Sequence, residues 1–223
     1  MKKAVLILSG GLDSSTLAYY LVSQGYELIA VSFNYGQKHN KELLSASTIA
    51  NNLQAKHYII DISHVKELLT NTSLVSDDLA IPDGHYSAKS MASTVVPNRN
   101  SLMLNYAWMI ACNESAHVVA FGAQSGDRFS YPDCREEFLV LENQALRSGT
   151  DGCRLDELQL IAPFITFSKS DIVKQAVLLN VPIKDTWTCY KGQEFHCGTC
   201  GACVGRREGF SLAGIPDPTI YKE

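Results

Sequence analysis

Two groups of residues have the types and spacing to do chemistry. The first follows the apolar run Ala4-Val5-Leu6-Ile7-Leu8 and reads Ser9-Gly10-Gly11-Leu12-Asp13-Ser14. Paired glycines let a backbone turn with few steric limits and come close to a ligand. The amides of such a turn, with a helix starting behind them, converge on one point and make an anion site. Ser9, Ser14 and Ser15 add hydroxyl donors. Asp13 does not suit a bare phosphate, but it suits a magnesium ion that bridges phosphates. The chemistry predicted is the holding and activation of a phosphate chain such as that of ATP. An ordinary strand-to-helix turn is the competing reading, since Gly and Ser favour turns anyway. No G-x-x-x-x-G-K-[ST] occurs, and no G-x-G-x-x-G follows a strand, so neither of those two nucleotide loops applies.

The second group lies near the other end. Cys189-x7-Cys197-x2-Cys200-x2-Cys203 gathers four of the seven cysteines into 15 residues. Two Cys-x2-Cys steps let thiolates converge on one ion, and Gly198 and Gly201 supply backbone freedom. Four thiolates complete a closed, tetrahedral structural zinc site with no position left for a catalytic water. An iron–sulfur cluster also takes four thiolates, and reduced core cysteines are the plainest alternative. His196 adjoins Cys197 and reads as a neighbour rather than a ligand. Cys112, Cys134 and Cys153 are dispersed.

Elements must hold these groups. The 223 residues are 46% apolar and 19% charged, enough for a packed core in one domain of ordinary size with a small appendage. The net charge of -4 gives no general attraction for nucleic acid, and no stretch approaches the length of a membrane span. The apolar run after Met1-Lys2-Lys3 is too short for a secretory signal, so a cytoplasmic protein is expected. Ala4–Leu8 reads as a central strand, and a helix capped by Asp13 should run to about Ser23. Leu28–Phe33 is a strand, Leu43, Ala46, Ile49, Ala50 and Leu53 mark a helix, and His57–Ile60 is a strand. This β-α-β-α-β start predicts a Rossmann-like α/β fold, a parallel sheet with helices on both faces and ligands at the carboxyl ends of its strands. Residues 70–95 look irregular. Further expectations are a helix through Leu102, Tyr106, Ile110 and Ala111, a strand at Val118–Phe121 and a loop at 123–134. A helix through Phe138, Leu141, Ala145 and Leu146 and a strand at Leu158–Ala162 follow. Ser170 or Asp171 should cap a helix reaching Leu179, and a last helix should cover Val204–Ala213. The division expected is residues 1–185 for the nucleotide-binding domain and 186–223 for the cysteine segment.

The order S-G-G-x-D-S after an amino-terminal strand resembles the PP-loop of the adenine nucleotide α-hydrolase family. Members of that family split ATP between its α and β phosphates. Combined with the cysteine knuckle, the chain resembles the 7-cyano-7-deazaguanine synthase family of the queuosine pathway. The resemblance rests on Val31–His39, Val96-Pro97-Asn98-Arg99-Asn100, Tyr131-Pro132-Asp133-Cys134-Arg135, Thr186-Trp187-Thr188-Cys189-Tyr190 and His196–Cys203, and it spans Lys3 to about Tyr221. It implies that 7-carboxy-7-deazaguanine, ammonia and ATP give the nitrile, through adenylation of the carboxylate and then of the amide. Magnesium would accompany the ATP, zinc would sit in the knuckle, and the protein would be a homodimer.

The resemblance also implies site residues. Leu8, Ser9, Gly10, Gly11, Leu12, Asp13, Ser14, Ser15, Thr16, Leu17 and Ala18 should wrap the ATP, with Phe33 beside the adenine edge. Ser9, Asp13 and Ser14 lie nearest the reacting phosphates, and Arg99 is a candidate phosphate contact or else a solvated arginine. Asp127, Tyr131 and Asp133 are candidates for the guanine-like base, and either aspartate could instead cap a following helix. Lys169 either reaches the phosphates or is merely solvated. Cys134 could hold substrate covalently, although a packed, inert thiol is the plainer reading. The stretch Gly126-Asp127-Arg128-Phe129-Ser130 departs from the commoner family pattern, with Arg128 where a variant pattern has histidine. The rival readings are a thiolation-type tRNA-modifying PP-loop enzyme, a non-enzymatic zinc-knuckle module, and a related deazapurine enzyme acting on a macromolecule.

Overall fold

The computed structural model describes residues 2–85, 91–150 and 157–222; Cys153 and part of the 70–95 stretch lie outside these. The strands are β1 (Lys2–Ile7), β2 (Tyr26–Asn34), β3 (Lys56–Asp61), β4 (Val118–Ala120) and β5 (Gln159–Ile161). The helices are α1 (Leu12–Ser23), α2 (Lys41–Asn52), α3 (Arg99–Asn113), α4 (Glu136–Gly149), α5 (Lys169–Leu178) and α6 (Gly201–Ala213). The five strands form one sheet in the order β3-β2-β1-β4-β5, and every pairing is parallel.

Alternate residues of β1 enter opposite cores, which is why this strand is apolar throughout. Val5 joins Ile29, Val31, Leu104, Trp108 and Val119 on one face. Ala4 and Leu6 join Leu17, Leu21, Ile49, Ile172 and Phe210 on the other. The chain winds outward from β1 through β2 to β3, then crosses to β4 on the other side of β1. That reversal opens a crevice at the carboxyl ends of β1 and β4, where open parallel sheets bind ligands.

Several boundaries differ from the sequence expectation. Helix α1 has Gly11 at its N-cap with no side-chain cap, so Asp13 stands inside the first turn. At α5 the cap is Ser168 rather than Ser170 or Asp171. Its hydroxyl accepts from the Asp171 amide, and Asp171 reaches back to the Ser168 amide in a capping box. Lys169 therefore begins the helix instead of preceding it. Helix α6 starts at Gly201, with Cys200 as its N-cap, so Cys203 is helical. Small residues between the cysteines let the knuckle run straight into the helix. Strand β5 is only the middle of the Leu158–Ala162 run. Within 70–95, Ala92–Thr94 forms a short 3-10 turn. No helix among the described residues is long and apolar enough to cross a membrane.

Candidate functional site

At the end of β1 the chain turns through Gly10 at φ +77, a left-handed value that favours glycine. A Cβ there would run into the Glu42 carbonyl and the Ala46 amide of α2. The turn is braced by its serines: Ser14 Oγ accepts from the Ser9 amide at 3.2 Å and lies 2.9 Å from Ser9 Oγ. Leu8, Ser9, Gly11, Leu12, Asp13 and Ser14 line a cavity of about 570 Å³, a size ordinary for a small-molecule site. Ser15, Thr16, Leu17 and Ala18 do not line it; they are buried within α1. Gly10 faces α2 and does not line the cavity either, so the expected wrap of Leu8–Ala18 divides into lining and packing residues.

Asp13 faces Lys169, whose Nζ donates to Oδ2 at 2.5 Å. Gly209 of α6 makes room for the lysine stem, since a Cβ there would overlap Lys169 Cγ. The other oxygen, Asp13 Oδ1, is buried without a hydrogen-bond partner, as is Ser15 Oγ. Unpaired buried polar atoms are rare and ask for a ligand. A hard cation taking oxygen ligands fits the Asp13 carboxylate.

The opposite wall is built by β2, α3 and the segment after β4. Phe33 and Arg99 both line the cavity, and the Arg99 Nη1 donates to the Tyr35 hydroxyl at 3.4 Å. Arg99 is therefore directed inward rather than solvated. Asp127 lines the cavity too, and its oxygens accept from the Gln124 amide at 3.2 Å and from Gln124 Nε2 at 3.0 Å. Burial pushes its carboxyl up to about 6, with Lys169 opposing the rise and Asp13 adding to it. Tyr131 lines the cavity, and its hydroxyl lies 2.9 Å from Thr94 Oγ1.

Asp133 stands apart, because it does not line the cavity. Its Oδ2 accepts from the Asn100 amide at 3.0 Å, in the first turn of α3. It thus serves a helix amino terminus, but of the earlier helix rather than a following one. Burial, together with Asp127 and Asp133, pushes the Cys134 thiol well above the ordinary range, and Asn100 Nδ2 donates to its sulfur at 3.3 Å. A thiol held protonated is a poor nucleophile, in keeping with the inert reading.

The four cysteines meet beside this cavity. One sulfur from each of Cys189, Cys197, Cys200 and Cys203 lies within 4.8 Å of the others. The Cys197 amide donates to Cys189 Sγ at 3.4 Å, and the Cys200 amide to Cys197 Sγ at 3.3 Å. Amides pointed at sulfur favour thiolates, so the donor set fits a tetrahedral metal ion. His196 is not one of the ligands, since its Nε2 accepts from the Thr188 amide at 3.2 Å. Trp187, Thr188 and Tyr190 around Cys189 line the cavity, which joins the two motifs in one place.

Sequence reasoning did not single out Gln37, Glu42, Gln124 or Arg206, all of which line the cavity. Gln37 fell inside a stretch that carried the family resemblance. Glu42 is an acidic residue in a first helical turn, a common pattern, and nothing in the sequence around Arg206 signals burial. In fact Arg206 is 1% exposed and donates to Thr186 Oγ1, Thr188 Oγ1 and Ile183 O.

A parallel sheet with a glycine-serine loop after β1, opening onto a cavity at the sheet's switch point, defines a nucleotide-binding protein of the PP-loop class. The family model described as "Queuosine biosynthesis protein QueC" matches residues 3–214. The chain belongs to this family. It is 45% identical over 221 residues to "7-cyano-7-deazaguanine synthase 2" of Colwellia psychrerythraea, covering 99% of each chain. It is 44% identical over 225 residues to "7-cyano-7-deazaguanine synthase" of Brucella anthropi, covering 99% of this chain and 94% of the relative. Among solved structures, NMN synthetase from Francisella tularensis aligns with a TM-score of 0.49 at 16% identity, covering 96% of this chain and 78% of that one.

Proposed function

We propose that this protein makes 7-cyano-7-deazaguanine from 7-carboxy-7-deazaguanine, ammonia and ATP. The observation that carries the reading is the near full-length match to relatives of that name, in a chain whose phosphate loop and cysteine cluster border one cavity. A carboxylate oxygen is a poor leaving group, and adenylation makes it a good one. The carboxylate attacks the α phosphorus, pyrophosphate leaves, and ammonia then displaces AMP to give the amide. A second adenylation, on the amide oxygen, lets AMP leave again as the nitrile forms.

The residues divide this work by position. Ser9, Gly11 and Ser14 present donors to the phosphates, which need fixed dipoles where charge develops. Arg99 and Lys169 supply positive charge from opposite walls. Asp13 would hold magnesium through its unpartnered oxygen, and the ion's part is to neutralise phosphate charge. Phe33, which lines the cavity, is assigned to the adenine edge. Asp127 and Tyr131 are assigned to the guanine-like base, Asp127 accepting from its amino and ring N–H groups. Zinc in the four-cysteine site would fix the wall that carries Trp187 and Tyr190. We assign the cysteine segment from residue 186 a structural role and residues 1–185 the nucleotide, and infer a homodimer.

Incubation with magnesium-ATP, ammonia and 7-carboxy-7-deazaguanine tests the proposal. The expected products are the nitrile, with AMP and pyrophosphate. Formation of ADP and phosphate without AMP would overturn it.

A further inference from the structure

The ammonia step leaves a proton that none of the residues assigned so far takes up. As nitrogen bonds to the acyl carbon it gains a positive charge, and one N–H proton must go to a base. Making the nitrile from the amide then removes two more protons from the same nitrogen. Asp13, paired with Lys169, is assigned to magnesium, and Asp127 is assigned to the guanine-like base. Two further carboxylates line the cavity: Glu208 of α6, half-exposed and 2.9 Å from His85 Nε2, and Glu42 in the first turn of α2, the one on which Arg99 acts.

Its setting is specific. The Gln37 side chain holds Glu42 Oε1 through Nε2 at 2.8 Å. Gln37 Nε2 also donates to the Phe33 carbonyl at 3.1 Å, and Gln37 Oε1 accepts from the Tyr35 amide at 2.8 Å. These backbone partners fix which end of the amide is nitrogen, so the carboxylate receives a donor and not a competing acceptor. One oxygen is thereby anchored, and Gln37 leaves the second uncommitted. Among the described residues Glu42 makes no ion pair within 4.0 Å, although Arg99 is close enough to influence it. A withdrawn carboxylate without a cation paired to it is costly to keep. Structural glutamates of this kind are normally paired. The Glu42 carboxylate shares the cavity with Ser9, Ser14 and Arg99, the groups assigned to the phosphates, and Arg99 is near enough to act on its charge.

We propose that Glu42 is the proton acceptor for the ammonia nucleophile, oriented by Gln37; this rests on the proposed function above. In the step, the ammonia lone pair forms the C–N bond and the C–O bond to AMP breaks. The bonding pair leaves on the AMP oxygen, and the surplus N–H proton passes to Glu42. Acyl-adenylate, ammonia and carboxylate become amide, AMP and carboxylic acid, with charge conserved. Burial raises the Glu42 carboxyl to about 7, while Arg99 and Gln37 pull it down. A base near the working pH accepts and returns protons most effectively.

The two half-reactions separate this role from a structural one. Exchange of pyrophosphate into ATP with 7-carboxy-7-deazaguanine needs no ammonia, whereas amide formation does. In Glu42→Gln, amide formation should fall by about 10²–10³-fold while exchange falls by less than about tenfold. Glu42→Asp should recover part of the loss. Hydroxylamine, whose weakly basic nitrogen gives up the surplus proton to water more readily after attack, should form hydroxamate in Glu42→Gln to within about tenfold of the unaltered protein. Retention of amide formation in Glu42→Gln would sink the proposal. So would an equal fall in exchange and amide formation, which would place Glu42 in the nucleotide site. Absence of exchange in the unaltered protein would instead count against the proposed function itself.

Discussion

The phosphate loop and the cysteine knuckle border the same cavity, yet they treat their polar atoms differently. Around Ser9–Ser14 an atom is left over on the cavity's lining: Asp13 Oδ1 is buried without a partner, and Lys169 is held by a single carboxylate. In the knuckle the four sulfurs face one another and backbone amides point at two of them; buried Arg206 ties helix α6 to Thr186 and Thr188, with its Nε left without a hydrogen bond 3.5 Å from Asp217 Oδ1. Asp83 braces the same region through Lys191 at 2.6 Å and Thr199 at 2.6 Å. The lesson is that one region is built to exchange its ligand and the other to keep it. Spare hydrogen-bonding capacity gives a passing substrate something to satisfy, and a closed tetrahedral shell gives it nothing.

The contrast breaks most visibly at the metal. Metal analysis should find about one zinc per chain, and Cys200→Ser or strong chelation should lower the melting temperature and loosen residues 186–203. Structural zinc supplies on the order of 10 kcal/mol in small domains, so this is the largest effect expected on stability. Thermal denaturation with and without chelator checks it, and an unchanged transition would mean that the knuckle holds itself.

The loop should respond in the opposite sense. Asp13→Asn is expected to reduce pyrophosphate exchange by about 10²–10³-fold. Its effect on stability should stay within about 1 kcal/mol, because the pair to Lys169 is only partly buried. A large fall in melting temperature with exchange preserved would reverse the comparison.

A smaller effect concerns Asp127. Its folded carboxyl is raised from 3.8 to about 6, so the folded state holds the proton more tightly than the unfolded one. The resulting destabilisation is absent below the unfolded value, grows as pH rises, and is complete above about 6. Relative to the native protein, Asp127→Asn should therefore gain about 1–2 kcal/mol between pH 4 and pH 7, a figure reduced for partial exposure. Denaturant titrations at the two pH values measure it. A constant difference would show that Asp127 is as well solvated as an ordinary carboxylate.

The sequence alone determined what depends on local pattern. Alternating apolar strands and helices gave the parallel sheet, because β1 must be apolar on both faces to sit at its centre. Cysteine spacing gave the metal donor set, since thiols with two residues between them converge within one turn. Only the tertiary structure decided the partners that come from distant segments. Lys169 reaches Asp13 across 156 positions, and Asp133 turns away from the cavity to serve the start of α3. The Leu8–Ala18 run looked uniform, but the helix turns its later residues into the core. Glu42 gained its setting from Gln37 and Arg99, neither of which marks it in the sequence. Hydrophobic period and short-range spacing are written along the chain. The meeting of charges is set by strand order and loop path, and no local pattern encodes it.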